Sequence, residues 1–343
     1  MQYDSDMLKK YGISQEDLEL ASSEEKESID QMRPSVTYWK DAFSRFRRNK
    51  LAIVMFFLLM TIVLFAIFGP VFSPYTYKEQ SRDVRQGPSW QHLLGTDNLG
   101  RDQFTRLMYG TRISLLVGVV TMALVCLIGI TYGGIAAYVG GMVDNLMMRF
   151  VDLMMTIPSM LIIILLSVVL RDPMESLFNS KTFSGLAALG SGLISIFLVL
   201  ALFNWLGMAR SVRASLLMNR TQEYVLASEA MGAKSRWVLV KHLLPNSIGV
   251  IIISATGVVP GAIMTESFLS FIGLGVSAPM PSLGSMANTA LNGISSYPQN
   301  MLYPAILISM IILCFNILGD ALRDALDPRC ASSAVPRDRR HGS

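Results

Sequence analysis

The chain has 343 residues, of which 52% are hydrophobic and only 16% are charged, and its net charge is +4. Soluble domains carry about 25% charged residues, and their core helices rarely run about 18 residues without one. The composition therefore excludes a soluble globular protein and indicates an integral membrane protein. Basic residues flank the apolar windows, which favours orientation signals and lipid headgroup contacts over a nucleic-acid-binding surface.

The first part of the chain is charged. Residues 1–37 are rich in acidic and polar side chains, which predicts a cytoplasmic N-terminal tail. Residues 38–50 alternate aromatic with basic side chains, which predicts an amphipathic segment at the membrane interface, with a solvated lead-in as the alternative. Because the first apolar window begins only near Leu51, we expect it to be a retained span and not a cleaved signal peptide.

Six apolar windows of about 20 residues follow, and that is the length of a transmembrane helix. Gly69-Pro70 is expected to end the first window and Pro158 to kink the third. Helices are expected because the bilayer leaves no partner for open backbone groups and the alternation of a β-barrel is absent. The predicted fold is an all-α integral membrane protein with a transmembrane domain over 51–330 and a C-terminal tail over 331–343. The predicted spans are 51–68, 113–139, 153–170, 186–209, 248–269 and 301–319.

Lysine and arginine predict the orientation. Four basic residues lie between Arg45 and Lys50, directly before the first span, which predicts a cytoplasmic N-terminus and, with six spans, a cytoplasmic C-terminus. The connection over 271–300 has no lysine or arginine, as an external loop should. The connection over 70–112 should also be external, yet it carries six lysine and arginine residues beside four acidic ones. It is the one exception to the rule.

The connection between the fourth and fifth predicted spans, about 210–247, contains two short helical patterns. Gly232 separates them and is expected to end the first as a glycine C-cap. Apolar residues such as Trp237 and Leu243 lie on one side of the second pattern, and Pro245 is expected to end it. A short amphipathic helix pair attached to two spans is suited to transmit movement from another protein, whereas a solvated connector is the alternative.

This connection resembles the cytoplasmic coupling motif of binding-protein-dependent ABC permeases. The family pattern is Glu-Ala-Ala, three residues, Gly, nine residues, then Ile-x-Leu-Pro, and Gly232 and Leu244-Pro245 match it with the right spacing. The chain departs at the Ile position, which holds His242, and at the Glu-Ala-Ala positions, which hold Leu226, Ala227 and Ser228. The resemblance implies contact with a partner ATPase through Ala227, Glu229, Ala230, Gly232, Leu244 and Pro245.

Other segments resemble the "C"-type branch of this family, which transports peptides or nickel. The resemblance implies a type I ABC importer permease fold in the cell membrane of a prokaryote, and a heterodimeric pore with a related permease subunit. It also implies two ATP-binding subunits and an extracytoplasmic binding protein that delivers a peptide. The segments that carry the resemblance are 94–102, 140–152, 265–275 and 316–329.

Glu266 is an ionisable residue within the fifth predicted span, where it would cost several kcal/mol if it faced lipid. It is predicted either to belong to a pathway or gate, or to be a buried structural contact with backbone or serine donors. Two glycine pairs, Gly129/Gly133 and Gly257/Gly261, have the spacing that permits close approach of two helices.

Three alternatives remain open at this point. The same architecture would serve for nickel or another small solute, although none of the three histidines lies within a predicted span. A self-sufficient secondary transporter would show inverted repeats with broken helices, and none is evident. An intramembrane enzyme would need paired catalytic groups, whereas Glu266 stands alone in its span. No phosphate loop, nucleophile elbow or metal-ligand spacing occurs, so no catalytic residue, cofactor or metal is predicted and ATP hydrolysis is expected on other subunits.

Overall fold

A computed structural model describes residues 38–178, 191–276 and 278–326. The predicted tails 1–37 and 331–343, and residues 186–190 of the fourth predicted span, lie outside the described residues. Within the described ranges the chain is nearly all-helical. The β-structure in these ranges is one isolated antiparallel bridge between Thr96 and Asp102. The helices, numbered in chain order, are α1 Tyr38–Arg48, α2 Lys50–Phe72, α3 Gln103–Val139, α4 Gly141–Thr156, α5 Ser159–Val169, α6 Arg171–Phe178, α7 Ser191–Arg220, α8 Glu223–Ala230, α9 Ser235–Val238, α10 Leu244–Phe271, α11 Leu283–Leu291 and α12 Gln299–Leu326.

The chain divides between Arg45 and Phe46 into two units, and the second unit contains every long apolar helix. Asn49 directly precedes α2, and its side-chain Oδ1 accepts a hydrogen bond of 3.2 Å from the N–H of Ala52. This is an N-cap, which satisfies one of the donors left open at the start of a helix.

The predicted end of the first span at Gly69-Pro70 is wrong, because α2 continues to Phe72. Pro70 lies in the last turn of α2, where its missing N–H removes a single helical hydrogen bond. Gly69 has a packing role there, since a Cβ atom at this position would lie 2.1 Å from the Sδ atom of Met108 on α3. The glycine thus allows α2 and α3 to approach each other closely.

Five helical segments are long and apolar enough to cross a membrane: α2, α3, α7, the continuous run from α9 to α10, and α12. The pair α4 and α5 also passes as one span, but its two helices meet at an angle of 84°. The break falls at Ile157-Pro158, where the sequence predicts a kink. The six predicted spans are therefore present as five unbroken helices and one broken span, counted over the described residues.

α7 lies at the centre of the bundle. In its most apolar window 61% of the residues are buried, against 17% in the windows of α2 and of α12. The close approach predicted at Gly129/Gly133 is confirmed, because a Cβ at Gly133 would lie 2.4 Å from the carbonyl oxygen of Ala209 on α7. A Cβ at Gly257 or Gly261 would meet no atom of the described residues within 4 Å, so that pair does not serve close packing within this part of the chain.

Candidate functional site

The connection between α7 and α10 is shorter than predicted, because α7 extends to Arg220 and only two residues separate it from α8. α8 ends at Ala230, and Gly232 adopts a left-handed backbone with φ of +86°. The N–H of Gly232 donates to the carbonyl of Glu229 (2.9 Å), and the N–H of Ala233 donates to that of Ser228 (3.1 Å). These two bonds form a Schellman motif, so Gly232 is the helix-terminating glycine that the sequence predicts.

The second helical pattern does not end at Pro245, contrary to the prediction. α9 continues through a wide π-helical turn, Leu239–Leu243, directly into α10. Pro245 occupies the first turn of α10, where no N–H is needed, and the π turn bonds the N–H of Leu244 to the carbonyl of Leu239. The short helix after Gly232 is therefore the start of the candidate membrane span Ser235–Phe271.

A small apolar cluster holds this connection against α7. Val225 of α8, Val238 of α9 and Leu243 of the π turn are buried, and they pack with Val212 and Leu216 on the extension of α7. Burial of such side chains stabilises by about 1.5–3 kcal/mol each. We call residues 221–247 the coupling segment.

The position that departs from the family pattern has a defined environment. The ring of His242 lies edge-on to Trp237, with 4.9 Å between the ring centroids, and 6.2 Å from Tyr224. The amide of Asn246 donates to the hydroxyl of Tyr224 at 2.7 Å. His242 therefore lies in the π turn between aromatic side chains of α8 and α9, and the Asn246–Tyr224 hydrogen bond joins α8 to the start of α10.

Most of the predicted contact residues are accessible. Leu244 is half-buried, whereas the others are exposed: Ala227, Glu229, Ala230, Gly232 and Pro245. Large apolar side chains are exposed beside them, with Met231 at 83%, Leu226 at 55% and Trp237 at 50%. Lys234 and Arg236 are exposed in the same stretch. Exposed apolar side chains that lie close together in the chain are typical of interaction sites. We call Leu226, Met231, Lys234, Arg236 and Trp237 the coupling surface.

The chain matches two family models. Residues 129–332 match the inner membrane component of binding-protein-dependent transport systems, and residues 37–88 match the N-terminal transmembrane domain of oligopeptide transport permease C. The first match covers more than half of the chain. The chain belongs to the family of binding-protein-dependent transport permeases.

Named relatives support the same assignment. The oligopeptide transport system permease protein OppC of Bacillus subtilis is 43% identical over 87% of this chain and 92% of its own length. The dipeptide transport system permease protein DppC of the same organism is 43% identical over 90% of this chain and 92% of its own length. OppC of Escherichia coli is 34% identical over 85% and 91%.

A solved structure shows the fold. The MetNI methionine ABC transporter in an inward-facing conformation aligns with a TM-score of 0.51 at 19% identity, over 64% of this chain and 96% of the other. The permease is thus an all-α membrane protein with the fold of an ABC importer permease. The broken span at Ile157-Pro158 does not favour the secondary-transporter alternative, because the chain belongs to the family of binding-protein-dependent transport permeases.

Two ion pairs connect the broken span of the permease to α7. The guanidinium of Arg213 binds both carboxylate oxygens of Asp144 at 2.5 Å, and Arg210 binds Asp152. Both acids belong to the segment 140–152 that carries the family resemblance. Sequence reasoning missed their arginine partners, because the prediction ended the fourth span at 209 and placed both arginines in a loop.

Glu266 is completely buried in the permease. Its Oε1 accepts a hydrogen bond from Ser270 (2.7 Å), and its Oε2 accepts from Ser114 on α3 (3.0 Å) and from Ser267 (3.4 Å). The N–H of Leu283, at the start of α11, donates to the same Ser114 hydroxyl at 3.4 Å. Serine hydroxyls of α10 and α3 thus bind the carboxylate, and Ser114 links it to α11. This geometry fits the predicted structural contact, and the role in a pathway or gate stays a prediction.

The connection between α2 and α3 forms a compact cap, which we define as residues 73–102. The carboxylate of Asp97 accepts from the backbone N–H groups of Leu99 (2.8 Å) and Arg101 (2.9 Å). It also pairs with the guanidinium of Arg101 at 2.7 Å and with that of Arg106 at 3.6 Å. All three charged residues are buried. Two of the six basic residues over 70–112, Arg101 of the cap and Arg106 in the first turn of α3, are therefore paired with an acid inside the protein.

A second polar contact begins α3. Asp102 is its N-cap, accepting from the N–H of Thr105 at 2.7 Å, and the other carboxylate oxygen lies 2.9 Å from Nδ1 of His92. The amide of Asn98 donates to the carbonyl of Thr289 on α11 at 3.1 Å. The cap is thereby fastened to both α3 and α11.

Proposed function

We propose that this permease is the membrane subunit of an ATP-driven importer of peptides, and that it forms the translocation path and couples it to partner ATPases. The coupling segment carries this proposal. It ends α8 with a left-handed glycine, exposes the coupling surface, and runs without interruption into the span α10. A displacement of that surface by another protein would be transmitted directly into the membrane.

The energy source is expected on other subunits. We propose two ATP-binding ABC subunits that dock on the coupling surface, since the sequence has no phosphate loop of its own. A related permease subunit would complete a heterodimeric pore, and an extracytoplasmic binding protein would deliver the substrate. ATP drives such a switch only if the ATPases contact its two states differently.

Peptide is the proposed substrate because the relatives are named oligopeptide and dipeptide permeases. The proposal places the permease in the cell membrane of a prokaryote with both termini in the cytoplasm. The basic residues before α2 support that orientation, and so does the neutralisation of Arg101 and Arg106 by Asp97.

Gly232→Val tests the proposal. At φ of +86° a β-branched residue is strained, by about 1–2 kcal/mol, although a Cβ would meet no atom within 4 Å. We expect the variant to insert and to assemble, because no span depends on this turn. Peptide uptake by the reconstituted complex should fall, and ATP hydrolysis should lose its stimulation by loaded binding protein.

Gly232→Asn is the matched control, because asparagine tolerates the left-handed backbone better than other residues with a side chain. It should keep most of the uptake and of the stimulated hydrolysis. Normal uptake and normal stimulation in the Val variant would mean that the segment is only a connector, and the proposed coupling would be lost.

A further inference from the structure

The first span carries an exposed apolar stripe that reaches the cap. On α2 the exposed fractions are 64% at Phe57, 46% at Leu64, 53% at Phe68, 76% at Val71 and 83% at Phe72. These residues recur at the helical period, so they lie along one side of the helix. The exposed fraction rises from Leu64 to Phe72, where the chain enters the cap.

The cap continues this stripe with its own apolar side chains. Phe65 and Phe72 of α2 line an open cleft of 290 Å³ together with Trp90 and Leu93 of the cap. Trp90 is 99% exposed and Leu93 is 52% exposed. Side chains of this size left without cover on a folded segment indicate a surface that something else contacts.

The polar groups beside the cleft are already paired. The hydroxyl of Ser73 lies 2.6 Å from that of Thr105, and the buried carboxylate of Asp102 is bound by His92 and Thr105. The imidazole of His92 is stacked on Tyr75, with 4.7 Å between ring centroids. The buried charges of the cap are therefore paired inside it. The charged side chains that are exposed on the cap do not line the cleft; they are Lys78, Glu79, Arg82, Asp83 and Arg85.

We infer that Val71, Phe72, Trp90 and Leu93 form a lipid-contacting patch, which enters the bilayer interface beside α2 and holds the cap against the membrane. α2 has 23 residues, and at about 1.5 Å per residue it spans about 34 Å, slightly more than the hydrocarbon core of about 30 Å. Its last residues therefore lie at the interface, the level at which tryptophan is enriched. Lipid is the occupant because the patch continues the exposed stripe of a membrane-spanning helix.

Quenching of Trp90 fluorescence tests this inference. The full-length chain with Trp39, Trp205 and Trp237 replaced by Phe keeps Trp90 as its sole tryptophan. It is reconstituted in phosphatidylcholine–phosphatidylglycerol vesicles that contain lipids brominated near the headgroup. We expect these lipids to reduce Trp90 emission to about half or less, as for an interfacial tryptophan, and acrylamide in the water to quench it weakly.

The matched control moves the tryptophan elsewhere on the same cap. Leu99→Trp combined with Trp90→Phe places it at a position that is 47% exposed and does not line the cleft. This probe should show the opposite pattern, with strong quenching by acrylamide and little by the brominated lipid. Trp90 emission quenched only from the water, or from neither side, would overturn the inference.

Photocrosslinking covers the case in which the tryptophan-poor chain fails to fold. Trp90→p-benzoylphenylalanine in the otherwise unaltered chain is irradiated in the assembled transporter in its own membrane. Mass spectrometry should find a phospholipid adduct on the cap peptide. An adduct with another subunit or with a binding protein would show that the patch is a protein interface, and it would overturn the inference.

Discussion

The cap connects α2 to α3, and the coupling segment connects α7 to α10. The cap buries paired charges, whereas the coupling segment buries apolar side chains. The cap buries Asp97 and Arg101, pairs Asp97 also with Arg106 of α3, and is tied to α11 through Asn98. The coupling segment buries a small apolar cluster and exposes Met231 and Trp237. Charged pairs thus fix the cap, whereas apolar packing fixes the coupling segment, whose exposed apolar groups meet the partner that we propose.

We expect this difference to separate substitutions that lower the stability of the permease from substitutions that weaken its contacts with partners. Substitutions of the buried charges of the cap should lower the stability of the isolated chain, because they leave their partners unpaired. Substitutions on the coupling surface should leave that stability unchanged and act only when the partners are present. The following variants test the comparison in order of decreasing expected effect on stability.

Asp97→Ala should have the largest effect. It leaves the buried guanidiniums of Arg101 and Arg106 without their carboxylate, and breaking a buried ion pair costs about 3–5 kcal/mol. We expect poor yield and a strongly lowered thermal midpoint for the purified chain in detergent. Fluorescence-detected size exclusion after heating measures this midpoint. Asp83→Ala is the control, because Asp83 is exposed on the same cap. Equal midpoints for both variants would contradict the assigned role of Asp97.

The sequence predicts the part of each span that lies in the bilayer better than it predicts where the helix ends. Uncharged windows mark residues in lipid, but α3 begins at Gln103 and α7 continues to Arg220, well beyond those windows. A helix keeps its backbone hydrogen bonds after it leaves the bilayer, so hydropathy does not detect its end. Pro70 and Pro245 are poor terminators for a related reason, since proline is costly only where an N–H is needed.

Glu266 provides the second test, on the side of the molecule where α10 meets α11. Glu266→Leu should lower the free energy of unfolding by about 1–3 kcal/mol, because the hydroxyls of Ser114 and Ser270 lose their acceptor. Glu266→Gln keeps an acceptor and should lose much less. Thermal unfolding of the purified chain in detergent measures both. If the two variants unfold at the same temperature, the serine contacts do not stabilise the fold.

The ion pairs between α4 and α7 should have a smaller effect. Arg213 and Asp144 are 29% and 9% exposed at their side chains, so we expect a coupling energy of about 1 kcal/mol in a double-mutant cycle. The double variant that exchanges the two residues, Asp144→Arg with Arg213→Asp, should recover part of this coupling energy. Arg210 and Asp152 are 48% and 44% exposed and serve as the control pair, with a coupling near zero. Equal coupling in both cycles would refute this ranking.

The candidate site shows where sequence reasoning reaches its limit. The role of Gly232 is predictable because a glycine between two helical patterns commonly ends the first of them, and the observed φ of +86° confirms it. The partners Arg210 and Arg213 are not predictable in this way, because their acids lie 58 and 69 residues away in the chain. Contacts of that separation depend on how α4 packs against α7, and no local pattern records it.

Met231→Asp should have the smallest effect on stability and a large effect on assembly. Met231 is 83% exposed, and exposed substitutions usually change stability by no more than about 0.5 kcal/mol. We expect an unchanged thermal midpoint for the isolated chain. Co-purification of the ATP-binding subunits and peptide uptake should both fall, because the acid would be buried without a partner in the interface that we propose.

Val84→Asp is the matched change at the other end of the molecule. Val84 is 50% exposed on the cap, and the substitution introduces the same charge in place of an apolar side chain. It should alter neither the thermal midpoint nor the amount of co-purified ATP-binding subunit. The pair of variants therefore separates a general effect of surface charge from a specific one. If Met231→Asp retains both its ATP-binding subunits and its uptake, the coupling surface is not where they dock, and the contrast between the two connections has no functional meaning.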